Sequence, residues 1–112
     1  MTQTDDFTIA LDDVSASILA LESQIALKVE QLEKLKTSIL FIEMEAQRAG
    51  AFSDEAKNAE QREGVKNGFL VLHETYKDKL MESARLTRSI AELKAQKRFE
   101  ERSYDLLMNS EA

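Results

Sequence analysis

Asn58 and Arg62, in the stretch "NAEQREGVKNGFL" (58–70), come nearest to a binding motif in type and spacing. Positions four apart share one face of a helix, so an amide and a guanidinium could address one target together. That target would be a phosphate, a base edge, or a carbonyl within the protein's own fold. Gly64 and Gly68 follow at the same spacing. The alternative makes the stretch a corner between two long helices, with Asn58 and Arg62 tying it down by hydrogen bonds.

Other candidate chemistry is sparse. The acid pairs Asp5–Asp6, Asp12–Asp13 and Glu100–Glu101 are chain neighbours, which diverge around a helix rather than converge on a substrate. His73, in "HETYKD", is the single histidine of a chain without cysteine, and has no i, i+4 histidine to make a zinc pair. Tyr76 and Tyr104 fall on an apolar series and are expected in the core with their hydroxyls at its edge. No glycine-rich phosphate loop, Ser-His-Asp set or EF-hand loop occurs. The expectation is a non-enzyme with no metal and no cofactor.

The elements that must carry these residues are helices. The chain has 112 residues, enough for one domain, with no proline, three glycines and 32% charged residues. It is rich in Ala, Glu, Lys, Leu and Gln, the composition of long helices, and lacks the turn residues a sheet needs. No run of 18 apolar residues is present, so no membrane span is expected. The opening "MTQTDDFTIALDD" carries acids where a signal peptide needs a basic flank and an apolar run. Cysteine is absent. Together these lead to the expectation of a cytoplasmic protein. The net charge is −6, spread unevenly: residues 1–63 hold 6 basic and 13 acidic side chains, residues 77–102 hold 8 and 5. An acidic helix lying beside a basic one, with charges flanking the seam, accounts for this split better than a nucleic-acid face does.

A heptad begun at Leu11 places Leu11, Ile18, Ile25, Leu32, Ile39 and Ala46 at a, and Val14, Leu21, Lys28, Leu35, Ile42 and Ala49 at d. Only Lys28 is polar, and its stem can lie along the seam while the ammonium reaches water. This predicts a first helix over about 8–49, ended by Gly50 at a position that tolerates positive φ. "FSDE" then reads as a fresh start, with Ser53 as N-cap and Asp54 and Glu55 at the positive end of the dipole. A cap helix over about 53–66 and a second long helix over about 67–108 follow, with a kink or break at Gly64–Gly68; since neither glycine compels a break, one continuous helix over 53–108 is the alternative. The second seam, Phe69, Leu72, Tyr76, Leu86, Ile90, Leu93, Tyr104 and Leu107, is rougher. Lys79, Ser83, Lys97 and Glu100 occupy strict positions, while Leu80, Ala84 and Phe99 lie just beside them. That drift suggests locally straighter helices rather than a tight supercoil.

Two helices of equal length form an antiparallel hairpin in which residue i faces roughly residue 117 − i. Ile39 then lies near Tyr76 and Leu80, and Ile18 near Phe99. The fold class is all-α, a long coiled-coil-like hairpin with a helical cap at its corner. Leu19, Leu27, Leu40, Phe41 and Met44 fall off the seam. Leaving them in water would forfeit about 1.5–3 kcal/mol each. Two hairpins packed as a four-helix bundle would cover them, so a homodimer with these residues at its interface is expected.

The pattern Lys57, Asn58, Ala59, Arg62 and Tyr76, with Phe99 and Arg102 further on, resembles a group of small phage and prophage proteins. In that group a Lys-Asn-Ala-x-x-Arg helix precedes an aromatic residue, usually Tyr, and then a heptad helix ending near Phe or Arg. The resemblance covers residues 55–108. A turn, often with proline, stands just before the tyrosine in that group; here "LHETY" has no proline. The resemblance implies an accessory protein near DNA recombination or replication functions, acting in the bacterial host cell through an unidentified protein partner. Lys94, Lys97, Arg98 and Arg102 are the candidates for a weak contact to single-stranded DNA. The alternative is a small acidic inhibitor of a host nucleic-acid-binding or defence complex, like some anti-CRISPR proteins, its helix-one acids standing in for phosphates.

Overall fold

Without proline and with its glycines clustered, the chain has little to interrupt helix, and helix is what it forms. In the computed structural model residues 3–53 and 57–111 are described, with side chains over 6–53 and 57–110. Three helices follow in order: α1 (Gln3–Ala51), α2 (Ala59–Leu72) and α3 (Tyr76–Glu111). No strand occurs among the described residues.

The helix boundaries differ from the sequence expectation in three places, each for a local reason. First, α1 runs through Gly50, which has no positive φ and is buried. Second, the next helix starts at Ala59 with Asn58 as its N-cap, rather than at Ser53; Asp54 and Glu55 lie outside the described residues. Third, the break expected at Gly64–Gly68 lies at His73–Thr75. Both glycines sit within α2 with ordinary helical signs of φ. Thr75 takes the N-cap position of α3, its carbonyl accepting from the Lys79 N–H at 2.9 Å. Asp78 stands in the first turn, where the helix dipole favours an acid.

The chain divides into two compact units, residues 1–30 with 87–112, and residues 31–86. In the first unit α1 and α3 pair through their seams. Leu11, Val14, Ile18, Leu21 and Ile25 are half-buried, as are Leu93, Tyr104 and Leu107, and Ile90 is buried. Lys28 is half-buried at its seam position. In the second unit Leu32, Ile39, Ile42 and Ala46 of α1 and Leu86 of α3 form the buried set. There α1 and α3 run antiparallel: the Lys79 ammonium donates to the Ser38 hydroxyl, and Tyr76 lies against Glu43. The first of these pairs falls on the 117 − i register.

On α3 the strict heptad positions are the ones turned inward. Lys79, Ser83, Lys97 and Glu100 keep the strict heptad and are half-buried, while Leu80, Ala84 and Phe99 are exposed. The two lysines hold these places because their long arms find partners at the seam edge. Lys79 reaches Ser38, and Lys97 reaches Glu22 at 3.4 Å and Glu101 at 3.8 Å. Leu80 therefore does not join Ile39 in the core, and Phe99 does not pack into the seam at Ile18.

Candidate functional site

The corner at α2 is built from two devices. Asn58 has extended backbone (φ −144°, ψ 173°), and its side chain accepts the Gln61 N–H at 2.8 Å. The Gln61 amide oxygen in turn accepts the Lys57 N–H at 2.6 Å. Donors orphaned at the helix start are thus satisfied reciprocally, in the manner of a capping box. The second device is close approach. A Cβ placed on Gly50 would stand 2.6 Å from the backbone carbonyl oxygen of Arg62 and 3.5 Å from the Lys66 Cβ. Only glycine lets α2 come this near to the end of α1.

Asn58 and Arg62 therefore do not share a helix face as their spacing suggested. Asn58 precedes the helix, and its carbonyl accepts the Arg62 N–H at 3.0 Å as the first helical bond. The Arg62 guanidinium is exposed and makes no hydrogen bond or ion pair among the described residues. It borders a shallow groove with Gln47, Ala59, Glu63 and Lys66. What Arg62 gives the corner is its main-chain oxygen.

At the α2–α3 break, the His73 N–H donates to the Leu70 carbonyl at 3.3 Å, and the His73 carbonyl accepts from Tyr76 at 3.3 Å. The imidazole lies beside Phe69, centroids 6.0 Å apart. Tyr76, the next residue with a distinct environment, has its phenol pushed above the ordinary range. Partial burial is the larger cause, followed by the charge of Glu43, whose carboxylate also accepts the hydroxyl hydrogen bond.

The basic candidates separate. Lys97 is half-buried between Glu22 and Glu101, whereas Lys94, Arg98 and Arg102 are exposed. Leu19, Leu27, Leu40, Phe41 and Met44 are all exposed. They are joined by residues the periodicity did not single out: Phe52 and Val71, each about four-fifths exposed, and Met81 and Leu106. Leu72, expected in the second seam, is also exposed, since α2 ends there and its turn does not continue the seam of α3.

No helix among the described residues is long and apolar enough to cross a membrane, and no three His, Asp or Glu side chains among them converge as metal ligands would. The chain matches no model of a known protein family, no curated protein and no solved structure.

Proposed function

We propose that the chain is a non-enzymatic binding protein of the phage and prophage accessory type. It works as a homodimer whose outer helical surface engages another macromolecule. The observation that carries this reading is the outward placement of Leu40, Phe41 and Met44, three large apolar side chains within five residues, each more than half exposed. Such a cluster marks an interaction surface. The helix break directly before Tyr76 supports the resemblance, because a turn stands at that point in the group it resembles. The net charge of −6 favours a protein over a nucleic acid as the principal partner. Lys94, Arg98 and Arg102 support at most a weak, salt-sensitive contact to single-stranded DNA.

Light scattering at micromolar concentration tests the assembly. The expected mass is twice the 12.7 kDa of one chain, and replacement of Leu40 and Phe41, two of the proposed dimer-interface residues with Leu19, Leu27 and Met44, by Lys is expected to yield a monomer or loss of folding. A wild-type monomer would remove the dimer from this reading.

A further inference from the structure

The heptad repeat of α3 does not begin with α3. Counted back from Leu86 through Ser83, Lys79 and Tyr76, the alternation of three and four residues runs on without a slip to Leu72, Phe69 and Val65 of α2. Such a repeat belongs to one helix, yet it is cut at His73–Thr75. Nothing in the residues there compels the cut. Neither glycine nor proline stands at 73–75, no described residue has a positive φ, and the turn closes on two main-chain bonds of 3.3 Å. His73 leaves the helix through ψ alone: its φ of −74° is close to a helical value, its ψ of 114° is not.

The cut leaves Leu72 stranded. It is a seam position 83% exposed, at the end of a helix that buries no residue. The register of Ser38 with Lys79 and Glu43 with Tyr76, carried on through an unbroken helix, sets Leu72 opposite Ala46 and Phe69 opposite Ala49, large against small. Residues 52–58 can follow that path, since extended they span over ~20 Å, against roughly 16 Å from the end of α1 to Ala59 of the straight helix. The straight path also carries Arg62 about 9 Å past Gly50. The close approach of the Arg62 carbonyl to Gly50 therefore belongs to the bent arrangement alone, and the seating of Leu72 to the straight one. Both use the same end of α1, so they exclude each other.

We propose that α2 is a two-position switch. In one position it meets the end of α1 at Gly50, as described above. In the other it runs on from α3 as one helix and shuts Leu72 into the seam. The change is confined to residues 73–75, and it sets whether Leu72 is offered at the surface or withdrawn. It does not depend on dimerisation.

Exchange-saturation NMR on ¹³C-labelled protein tests this at His73, Glu74 and Thr75. The expected minor state has helical Cα shifts at all three. Gly50→Ala crowds only the bent position and should raise the straight population at least about fivefold. Thr75→Ala, a better helix former at the turn, enriches it by a second route if Gly50→Ala fails to fold. Glu74→Pro should abolish it, because the residue before proline is held extended, as His73 already is, and neither bond of the turn uses the Glu74 N–H. A minor state with coil shifts at 73–75 would mean that α2 merely opens, and would overturn the switch. A single state in the wild type and both alanine variants alike would overturn it too, as would a straight state that survives Glu74→Pro.

Discussion

The carbonyl oxygen of Arg62 faces the bare Cα of Gly50 so closely that a methyl group there would stand 2.6 Å from it. Backbone, unlike the end of a flexible side chain, cannot swing aside, so Gly50→Ala must push α2 off α1. A loss of about 1–3 kcal/mol is expected from this overpacking. Gly64 and Gly68 have nothing within 4 Å of an added Cβ. Alanine at either should stabilise α2 by up to about 1 kcal/mol. Urea denaturation of the three variants decides the matter, and a stabilising Gly50→Ala would show that the helices do not meet as described.

Asn58→Ala removes the side chain that accepts the Gln61 N–H. The cost should be about 1 kcal/mol, typical of a lost N-cap. It should appear first as faster amide exchange at Gln61 while the seam residues of α1 stay protected. Asn58→Asp keeps the acceptor and adds a charge suited to the helix N-terminus, so it should be neutral or mildly stabilising.

Tyr76 gives a pH signature with a definite sign. Its folded pKa lies above the ordinary value near 10 because burial and Glu43 both disfavour the phenolate. Below that ordinary value both folded and unfolded chains hold the proton and the contribution is complete. Above it the unfolded chain releases its proton first, so stability falls as pH rises toward the folded pKa. Tyr76→Phe should flatten this alkaline loss in melts recorded above about pH 10. A variant curve parallel to the wild type would show that Tyr76 is not the group responsible.

Lys28 is the one polar member of the α1 seam and is half-buried there. Leucine in its place should add roughly 1 kcal/mol by completing the apolar row. The urea midpoint should rise with the slope unchanged. A fall would mean that the ammonium has a partner whose loss outweighs the added burial.

The periodicity of α1 was fully legible, because all twelve of its a and d positions are the ones turned inward. An apolar repeat kept over six heptads leaves no second solution. On α3 the same repeat holds, but Lys79, Ser83, Lys97 and Glu100 obscure it. Local hydrophobicity favoured Leu80 and Phe99, whereas the register against α1 decided the outcome. The homodimer proposed from the outward leucines of α1 is a separate matter, since a pattern of exposure does not name its occupant. The break before α3 was written in Thr75-x-x-Asp78, and the start of α2 in Asn58-x-x-Gln61. Both signals are caps, and both were outweighed by glycines that turned out to be ordinary helix residues. The glycine that matters, Gly50, carries a requirement that no local pattern expresses. Its neighbour in space is Arg62, twelve residues on.

α2 contains no buried residue, and its ends are the capped start at Asn58 and the break at His73–Thr75. A segment with so little apolar contact opens at far lower free energy than the whole fold. Trypsin should therefore nick the chain first at Lys57, Arg62 or Lys66, while the paired stretches of α1 and α3 survive as large fragments. Seen this way α2 is a detachable clasp: it can swing out and close again on Gly50 without the two long helices ever parting.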